Sequence, residues 1–592
     1  MLVLGLTDGV TSGAAVIQDG AIVAAVHEER LCRMKMAYGF PRASIAEVLR
    51  IAGAAPGDFD AVAVAQVNSY LYDGVRPFDG WFDRSTGTIR EVIFSSVGGL
   101  SPLLGSLPAL QSVYYRARQP IFARRRKQIR RILERECGIA APVRFIDHHL
   151  AHAASAYFTS GFDDALVVTM DGGGDAASSH IYRARQSSLT RLGTTSAFDS
   201  LANFYAYVTH ICGYKAHKHE GKITGLAAHG QPIYTELLSR LVSFEDGKLR
   251  NRSGRVFLAA VRELERGLPK GWRPEDLAAS IQKHCEDLAV AHVRHHLPKA
   301  GETDLAVAGG LFANVRINQK VAEIEGVRRL FVHPGMTDCG LAVGAALALC
   351  VDDPAETTMQ RQHDVIRDVY CGPEYSLSEI EAALKRSGLE YARSSTIDKD
   401  VAGLLARGHV VARFDGRMEY GPRALGNRSI LYQPADASVN DWLNKDLRRT
   451  EFMPFAPATL VEHAGESYHN IDRAADSARF MTVTYDCTDE MKRTCAGVVH
   501  VDGTARPQLV HRQASPSFHA IIEEFHRLTG VPTVINTSFN MHEEPIVCSP
   551  DDAIRAFSLG HLDFLAIGDF LVPSREPPRR NVQPLAQMAL AD

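Results

Sequence analysis

One pattern occurring twice constrains this chain's fold more than anything else in it. Leu2-Val3-Leu4-Gly5-Leu6 predicts a strand, Thr7-Asp8-Gly9 a turn, and Ala14-Ala15-Val16-Ile17 a returning strand. An Asp19-Gly20 hairpin turn then leads into a third strand over Ile22–Val26. Far downstream the plan repeats: an apolar strand through Leu166–Met170, a glycine turn at Asp171-Gly172-Gly173, and a return through His180-Ile181-Tyr182. Asp8 and Asp171 take matching positions. So long a repeat predicts paired half-domains rather than a solenoid, whose units are short and touch only their neighbours. At 592 residues the chain also exceeds a single core, so at least two domains are expected.

A duplicated strand–glycine-turn–strand unit is how the actin-like ATPase and sugar-kinase fold grips phosphates, because the backbone N–H groups of such turns attract anions. Two further stretches fit that plan. Leu305–Asn314 reads as a strand, a Gly309-Gly310 turn and a helix, and His333–Gly340 sets Asp338 at the mouth of an apolar helix over Leu341–Leu349. Together they predict a nucleotide cleft, with Gly172, Gly173, Gly309, Gly310 and Asn314 close to the phosphates. Tyr214–Ala227 is basic and glycine-laden, a loop entering a helix, and Lys222 is its candidate phosphate contact.

Asp147-His148-His149-Leu150-Ala151-His152-Ala153-Ala154 has the composition of a helix. Residues four apart share a helix face, so His148 and His152 project side by side while His149 turns away by roughly 100°. Two such imidazoles can clamp a divalent cation, and Asp171 could add a hard oxygen ligand. The bland alternative is two helix histidines and a turn-capping aspartate.

Composition narrows the classes. With 45% hydrophobic and 23% charged residues the chain is globular, and a net charge of −4 gives no global reason for nucleic acid or a membrane surface. Ten scattered cysteines without a Cys-x-x-Cys pair argue against a thiolate zinc site or a disulfide framework and fit a reducing compartment. The chain opens directly into a strand without a basic leader, and its longest apolar run, Leu341 to Val351, is too short to span a bilayer; the cytoplasm is expected. Residues 69–112 are aromatic and glycine-rich without a period, and Arg116, Arg118, Arg124, Arg125, Arg126, Lys127, Arg130 and Arg131 crowd the helix that follows. That run reads as a solvated face or a surface for an acidic partner before it reads as nucleic-acid binding. Residues 351–364 are an unpatterned linker and 571–592 a Pro- and Arg-rich tail. Between them Val410–Phe414 predicts a strand leading into Asp415–Ile430, where arginines set among glycines and prolines suit phosphate oxygens.

Several long stretches carry a family resemblance. They are Glu28-Glu29-Arg30 through Gly39-Phe40-Pro41, His148–His152, His219-Glu220-Gly221-Lys222, Gly416–Gly426, Phe452–Pro457, His500–Pro507 and Thr537–Asn540. In order and in detail the chain resembles the O-carbamoyltransferases related to nodulation-protein U and the nebramycin carbamoyltransferase. The resemblance implies an α/β fold: an N-terminal Kae1-like, duplicated actin-like domain over 1–355, with a helical insertion at about 69–140, and a C-terminal YrdC-like domain over 365–570.

It further implies that carbamoyl phosphate and ATP, the latter with Mg2+, yield carbamoyl adenylate in the C-terminal domain. The carbamoyl group then passes to a hydroxyl of a small, antibiotic-type metabolite in a metal-containing N-terminal cleft. The implied ligands are His148, His152, Asp171 and Asp338, with iron(II) the metal of the best-known relative. Arg423, Arg428, Lys445, Arg449 and Arg506 are the expected grips for carbamoyl phosphate and ATP, joined by Asn536, Ser538 and Asn540. Relatives often carry His-Asp where this chain has Thr11-Ser12, so the acceptor's general base is open among His219, Glu220 and Asp8. A tRNA-threonylcarbamoylating enzyme and a small-molecule kinase of the actin-like fold are the alternatives. No membrane partner is expected, and a homodimer is one assembly open to the chain.

Overall fold

The computed structural model describes every residue except 71–72, 83–107, 299–302, 352–364, 449–451, 577–584 and 586–592. The expected linker from 352 and much of the expected insertion therefore lie outside the described residues. The chain forms two units, Met1–Val23 with Ala37–Val365, and Ala24–Met36 with the chain from Ile366 onward.

Strands β1 (Leu2–Thr7), β2 (Gly13–Gln18), β3 (Ala21–His27, of which Ala21–Val23 belong to the first unit), β4 (Ala61–Ala65) and β5 (Val143–Ile146) form a sheet in the order β3-β2-β1-β4-β5. Next along the chain come β6 (Asp164–Gly174), β7 (Ala177–Arg185), β8 (Ser188–Ser196) and a separate hairpin, β9 (Val242–Glu245) with β10 (Lys248–Asn251). With β11 (Thr303–Ala308) and β12 (Val327–Val332), strands β6 to β8 form a second sheet in the order β12-β11-β6-β7-β8. The two orders are the same: β1 and β6 each pair antiparallel with the next strand and parallel with β4 or β11. The duplication predicted from the glycine turns is thus present as topology.

Two helices lie between these sheets. Leu341–Val351 is apolar all round because it packs on β1, β2 and β4 on one side and on the helix His148–Phe158 on the other. His148–Phe158 in turn packs on β6 and β11. The core therefore runs sheet, helix pair, sheet, and the histidine helix is inside it.

One local expectation is corrected. Asp171-Gly172-Gly173 is not a turn: β6 continues to Gly174 with a register shift after Met170, and the chain reverses at Asp175 and Ala176, with φ of 48° and 73°. The cause is crowding, since a Cβ at Gly174 would sit 2.2 Å from the His148 ring. Glycine is needed there so that the strand can pass over the histidine.

The second unit holds β13 (Ala392–Arg393), β14 (Val411–Phe414), β15 (Arg428–Tyr432), β16 (Ala456–Leu460), the small ribbon β17 (Tyr485–Asp486) with β18 (Thr504–Ala505), β19 (Gln508–Val510), β20 (Thr533–Ser538), β21 (Phe564–Ile567) and β22 (Phe570–Pro573). Eight of them form a mixed sheet, β13-β22-β21-β14-β15-β20-β16-β19, with β14 parallel to β21 and antiparallel to β15. Two expected boundaries move. Leu571 and Val572, assigned to a loose tail, pair with Ala566 and Leu565 inside this sheet. Ala24–Met36, assigned to the first domain, joins the second unit, where Arg30 Nη2 donates to Gly421 O at 3.0 Å and Arg33 Nη1 to Ile546 O at 2.7 Å. Among the described residues no helix is long and apolar enough to cross a membrane.

Candidate metal centre and phosphate-handling residues

The helix His148–Phe158 starts on Asp147, whose carboxylate accepts from Leu150 N at 3.0 Å. That cap fixes where the first turn begins, and so which face His148 and His152 share. Their ring centroids are 4.7 Å apart, and both rings are buried. His149 points elsewhere, pairing through Nδ1 with Thr169 Oγ1 at 2.9 Å. Asp171 Oδ2 lies 3.0 Å from His152 Nε2 and 3.5 Å from His148 Nε2. From the segment after β12, in the same half of the duplicated unit as Asp171, Asp338 Oδ1 lies 3.5 Å from His152 Nε2 and 3.8 Å from His148 Nε2. One ligand atom from each of the four residues falls within 4.8 Å of all the others.

This donor set fits a divalent cation. His148 Nε2 is buried, and Asp171 Oδ2 reaches it only at 3.5 Å, the outer limit of a hydrogen bond, so among the described residues this nitrogen is poorly satisfied unless something occupies the space it faces. Burial works against a charged His148 ring, yet the hydrogen bond to Asp171 and the charges of Asp338 and Asp175 carry it up to about 9. Burial likewise opposes ionisation of Asp171, but His148 and His152 hold it well below the usual carboxylate range. Two imidazole nitrogens and two carboxylate oxygens suit iron(II), zinc, cobalt or manganese rather than calcium. The carboxylates are 16% and 25% exposed against 0–1% for the histidines, so the cluster opens on its oxygen side.

The candidate bases differ in their surroundings. Asp8, at the position matching Asp171, does not have a free carboxylate: Arg125 Nε donates to its Oδ2 at 3.0 Å, Arg125 Nη2 holds the other oxygen, and both side chains are buried. It is a structural ion-pair partner. His219 precedes the helix Glu220–Ala227, its Nδ1 accepting from Lys215 N at 3.3 Å. Glu220 accepts from His217 N, and burial pushes its carboxyl up to about 7. The imidazole that abuts the Asp171 strand is His217, which sequence reasoning passed over. A Cβ on Gly172 would lie 2.8 Å from its Cε1, its ring is 3.9 Å from that of Trp81, and its φ is 62°. Burial holds this ring down to about 4, so it is neutral at pH 7. No local pattern marked it among four basic residues.

A raised carboxyl pKa has a signed consequence. Glu220 binds its proton more tightly folded than unfolded, so its contribution is fully present below about pH 4.5 and is lost as pH rises through about 7. Glu220→Gln is therefore expected to raise the melting temperature at pH 8 and leave it unchanged at pH 4, measured by thermal unfolding at both values.

The expected nucleotide contacts divide. Gly309 has a φ of 110°, and a Cβ there would strike Met170 O at 2.2 Å, so the turn must be glycine. Gly172 N and Gly310 N both donate to Asp171, the latter at 3.2 Å, so these N–H groups orient a cluster carboxylate. Gly173 has a φ of 149° in the extended part of β6. Lys222 is buried with Nζ 5.8 Å from the Tyr214 ring centroid. Asn314 is corrected to a structural role: its Oδ1 caps the helix Val315–Ala322 and its Nδ2 donates to Gln282 Oε1 at 2.7 Å.

In the second unit the arginines separate by what they touch. Arg428 is fully buried, its guanidinium 3.7 Å from the Phe414 ring centroid. It donates to Asp415 O at 2.6 Å, Asn427 O at 2.9 Å and Gly416 O at 3.0 Å. It grips backbone and leaves no fork for a phosphate, which corrects the expectation. Arg428→Ala takes this donor away from Asp415 O and Gly416 O inside a buried site and is expected to cost about 3 kcal/mol of stability, read from the urea midpoint. Asn540 is structural as well, donating to Met541 O at 2.7 Å and Glu544 O at 3.1 Å. Lys445 is exposed on the helix Val439–Asp446, and Arg449 lies outside the described residues. Arg423 and Arg506 are half-buried, each with a solvent-shielded Nε. Asn536 is buried in β20, and Ser538, half-buried, ends that strand opposite Ser429. Glu419, which sequence reasoning missed, accepts from Leu425 N, Asn427 N and Arg428 N at 2.9, 2.8 and 3.1 Å and shapes the loop that carries Arg423.

Residues 3–347 match the family model described as carbamoyltransferase N-terminus, and residues 402–574 match carbamoyltransferase C-terminus. Nodulation protein NolNO of Sinorhizobium fredii is 32% identical over 97% of this chain and 83% of its own length. Nodulation protein NolO of Bradyrhizobium diazoefficiens is 34% identical over 73% of this chain and 79% of its own, and nodulation protein U of Azorhizobium caulinodans 27% identical over 66% and 71%. The chain belongs to the carbamoyltransferase family and is a carbamoyltransferase.

Proposed function

We propose that this enzyme moves a carbamoyl group from carbamoyl phosphate to a hydroxyl of a small specialised metabolite, in two stages. In the second unit, water hydrolyses carbamoyl phosphate to phosphate and carbamate, and the carbamate oxygen attacks the α-phosphorus of ATP, releasing pyrophosphate and leaving carbamoyl adenylate. In the first unit, an acceptor hydroxyl attacks the carbamoyl carbon; the C–O bond to AMP breaks, AMP departs, and the hydroxyl proton passes to a base. The observation that carries this reading is the His148–His152–Asp171–Asp338 cluster in a chain of carbamoyltransferase kind.

Iron(II), or a divalent cation like it, held by those four side chains would supply positive charge beside the carbamoyl oxygen and the adenylate phosphate. The chain's own groups do the rest. Gly172 N and Gly310 N fix the Asp171 carboxylate. Glu220, with its carboxyl pushed up to about 7, and His217, neutral beside Gly172, are the groups able to accept the hydroxyl proton. Arg423 and Arg506 grip the phosphates of the first stage.

The test is incubation of the full chain with ATP, carbamoyl phosphate, Mg2+ and iron(II). Pyrophosphate release that requires carbamoyl phosphate is the expected result, and ADP in its place would establish a kinase.

A further inference from the structure

The basic helix Pro108–Glu136 has a feature that a solvated face does not require. Arg116, Arg124, Lys127, Arg130 and Arg131 are exposed on it, but the Arg125 side chain is 0% exposed. Its guanidinium reaches Asp8, donates to Ala65 O at 3.2 Å and donates to Gln66 O at 2.7 Å. Arg125 thus clamps the end of β4 and the residue after it.

That residue is held in an unusual conformation. Gln66 has a φ of 68°, a left-handed geometry that costs a residue with a Cβ about 1 kcal/mol and persists only where neighbours enforce it. Here Arg125 holds its carbonyl, and Asp175 accepts from the next two backbone groups, Val67 N at 3.0 Å and Asn68 N at 2.6 Å. The same Asp175 carboxylate accepts from His148 N at 2.8 Å, tying this bend to the start of the histidine helix. The bend delivers the end of the Gln66 amide to His148 Nδ1, with Nε2 as placed 3.0 Å away.

We propose that Gln66 is the positioning residue for His148, locked in its bend by Arg125, so that the basic helix sets the geometry of the metal centre from behind. This rests on reading the four-residue cluster as a metal site. An imidazole that offers Nε2 to a cation carries its proton on Nδ1 and needs an acceptor there. Turning the Gln66 amide over about its last bond exchanges Nε2 for the oxygen at the same place, and the oxygen is the end that serves a cation-bound His148. Nδ1–H donated to that oxygen fixes both the tautomer and the ring plane of His148. Of the two cluster histidines, His148 has this support; His152 Nδ1 is buried with no hydrogen-bond partner among the described residues.

The experiment uses the full chain and Co2+ alone as probe, titrated against a chromophoric chelator, with metal-free melting temperature as the control. Gln66→Asn keeps a residue that tolerates the left-handed bend but withdraws its amide by one methylene. Gln66→Leu removes the amide, and Gln66→Glu restores an acceptor at full reach. The Asn and Leu variants are expected to weaken Co2+ binding roughly 10–100-fold, and Glu to recover it. The Asn variant melts with the parent. Arg125→Lys weakens binding in the parent and adds nothing in the Gln66→Asn background, because it acts through Gln66. Co2+ affinities of Gln66→Asn and Gln66→Leu within about twofold of a parent that binds overturn the proposal and spare the metal reading. A parent that binds no Co2+ overturns both.

Discussion

Replacing His152 with alanine is expected to abolish carbamoyl transfer while pyrophosphate release from ATP and carbamoyl phosphate continues. His152 is fully buried, and its Nε2 is the nitrogen nearest to both carboxylates, 3.0 Å from Asp171 and 3.5 Å from Asp338. Its loss removes one of four donors and leaves two carboxylates facing a single imidazole. With one imidazole instead of two, the remaining donors bind a cation more weakly, so charge stabilisation during transfer falls. If that stabilisation is worth about 4 kcal/mol, transfer falls by roughly 10³-fold. The measurement is carbamoylated product by mass spectrometry alongside pyrophosphate release, with circular dichroism to establish folding. Transfer within about tenfold of the parent would remove the cluster from the chemistry. Parallel loss of pyrophosphate release would mean that the two stages do not occupy separate sites.

How much of this was legible before the structure depends on whether the information is local. The i, i+4 spacing of His148 and His152 is local, and so is the strand that carries Asp171. Asp338 shares no helix or strand with them, so only family resemblance brought it in. The two-fold repeat was readable because each half spells out strand, glycines and strand in order. What the glycines do was misread: they thin β6 so that it passes the His148 and His217 rings, a requirement set by residues distant in sequence. The same limit explains Arg428, Asn540 and Asn314. Sequence shows that a fork or an amide is held among glycines, but not whether it faces a ligand or the carbonyls of its own loop. Arg125 lay hidden in a run of eight basic residues, since burial of one of them depends on Asp8 across the fold.

Arg423→Ala and Arg506→Ala are expected to have the opposite signature to His152→Ala, stopping pyrophosphate release itself. The case rests on one buried network. Asn536 Nδ2 donates to Gln508 Oε1 at 2.7 Å and to Ala424 O at 3.3 Å, while Gln508 Nε2 donates to Leu425 O at 2.8 Å. Arg423 directly precedes Ala424, and Arg506 stands two residues before Gln508, so the network ties the segments that carry both arginines to Asn536 on β20. There the Asn536 Oδ1 is buried with no hydrogen-bond partner. We propose that these two half-buried guanidinium groups and the Asn536 oxygen take a small phosphorylated amide, the forks binding the phosphate and the oxygen the carbamoyl N–H. Each charge-assisted bond to phosphate is worth about 1.5–3 kcal/mol, so losing the pair made by one arginine lowers pyrophosphate release roughly 10²–10⁴-fold. Lysine should not rescue either position, because a point charge cannot replace a two-pronged contact. Since neither arginine is wholly buried, the urea midpoint should stay near the parent's, in contrast to Arg428→Ala. Pyrophosphate release that survives both substitutions would mean that carbamoyl phosphate is gripped elsewhere in the second unit.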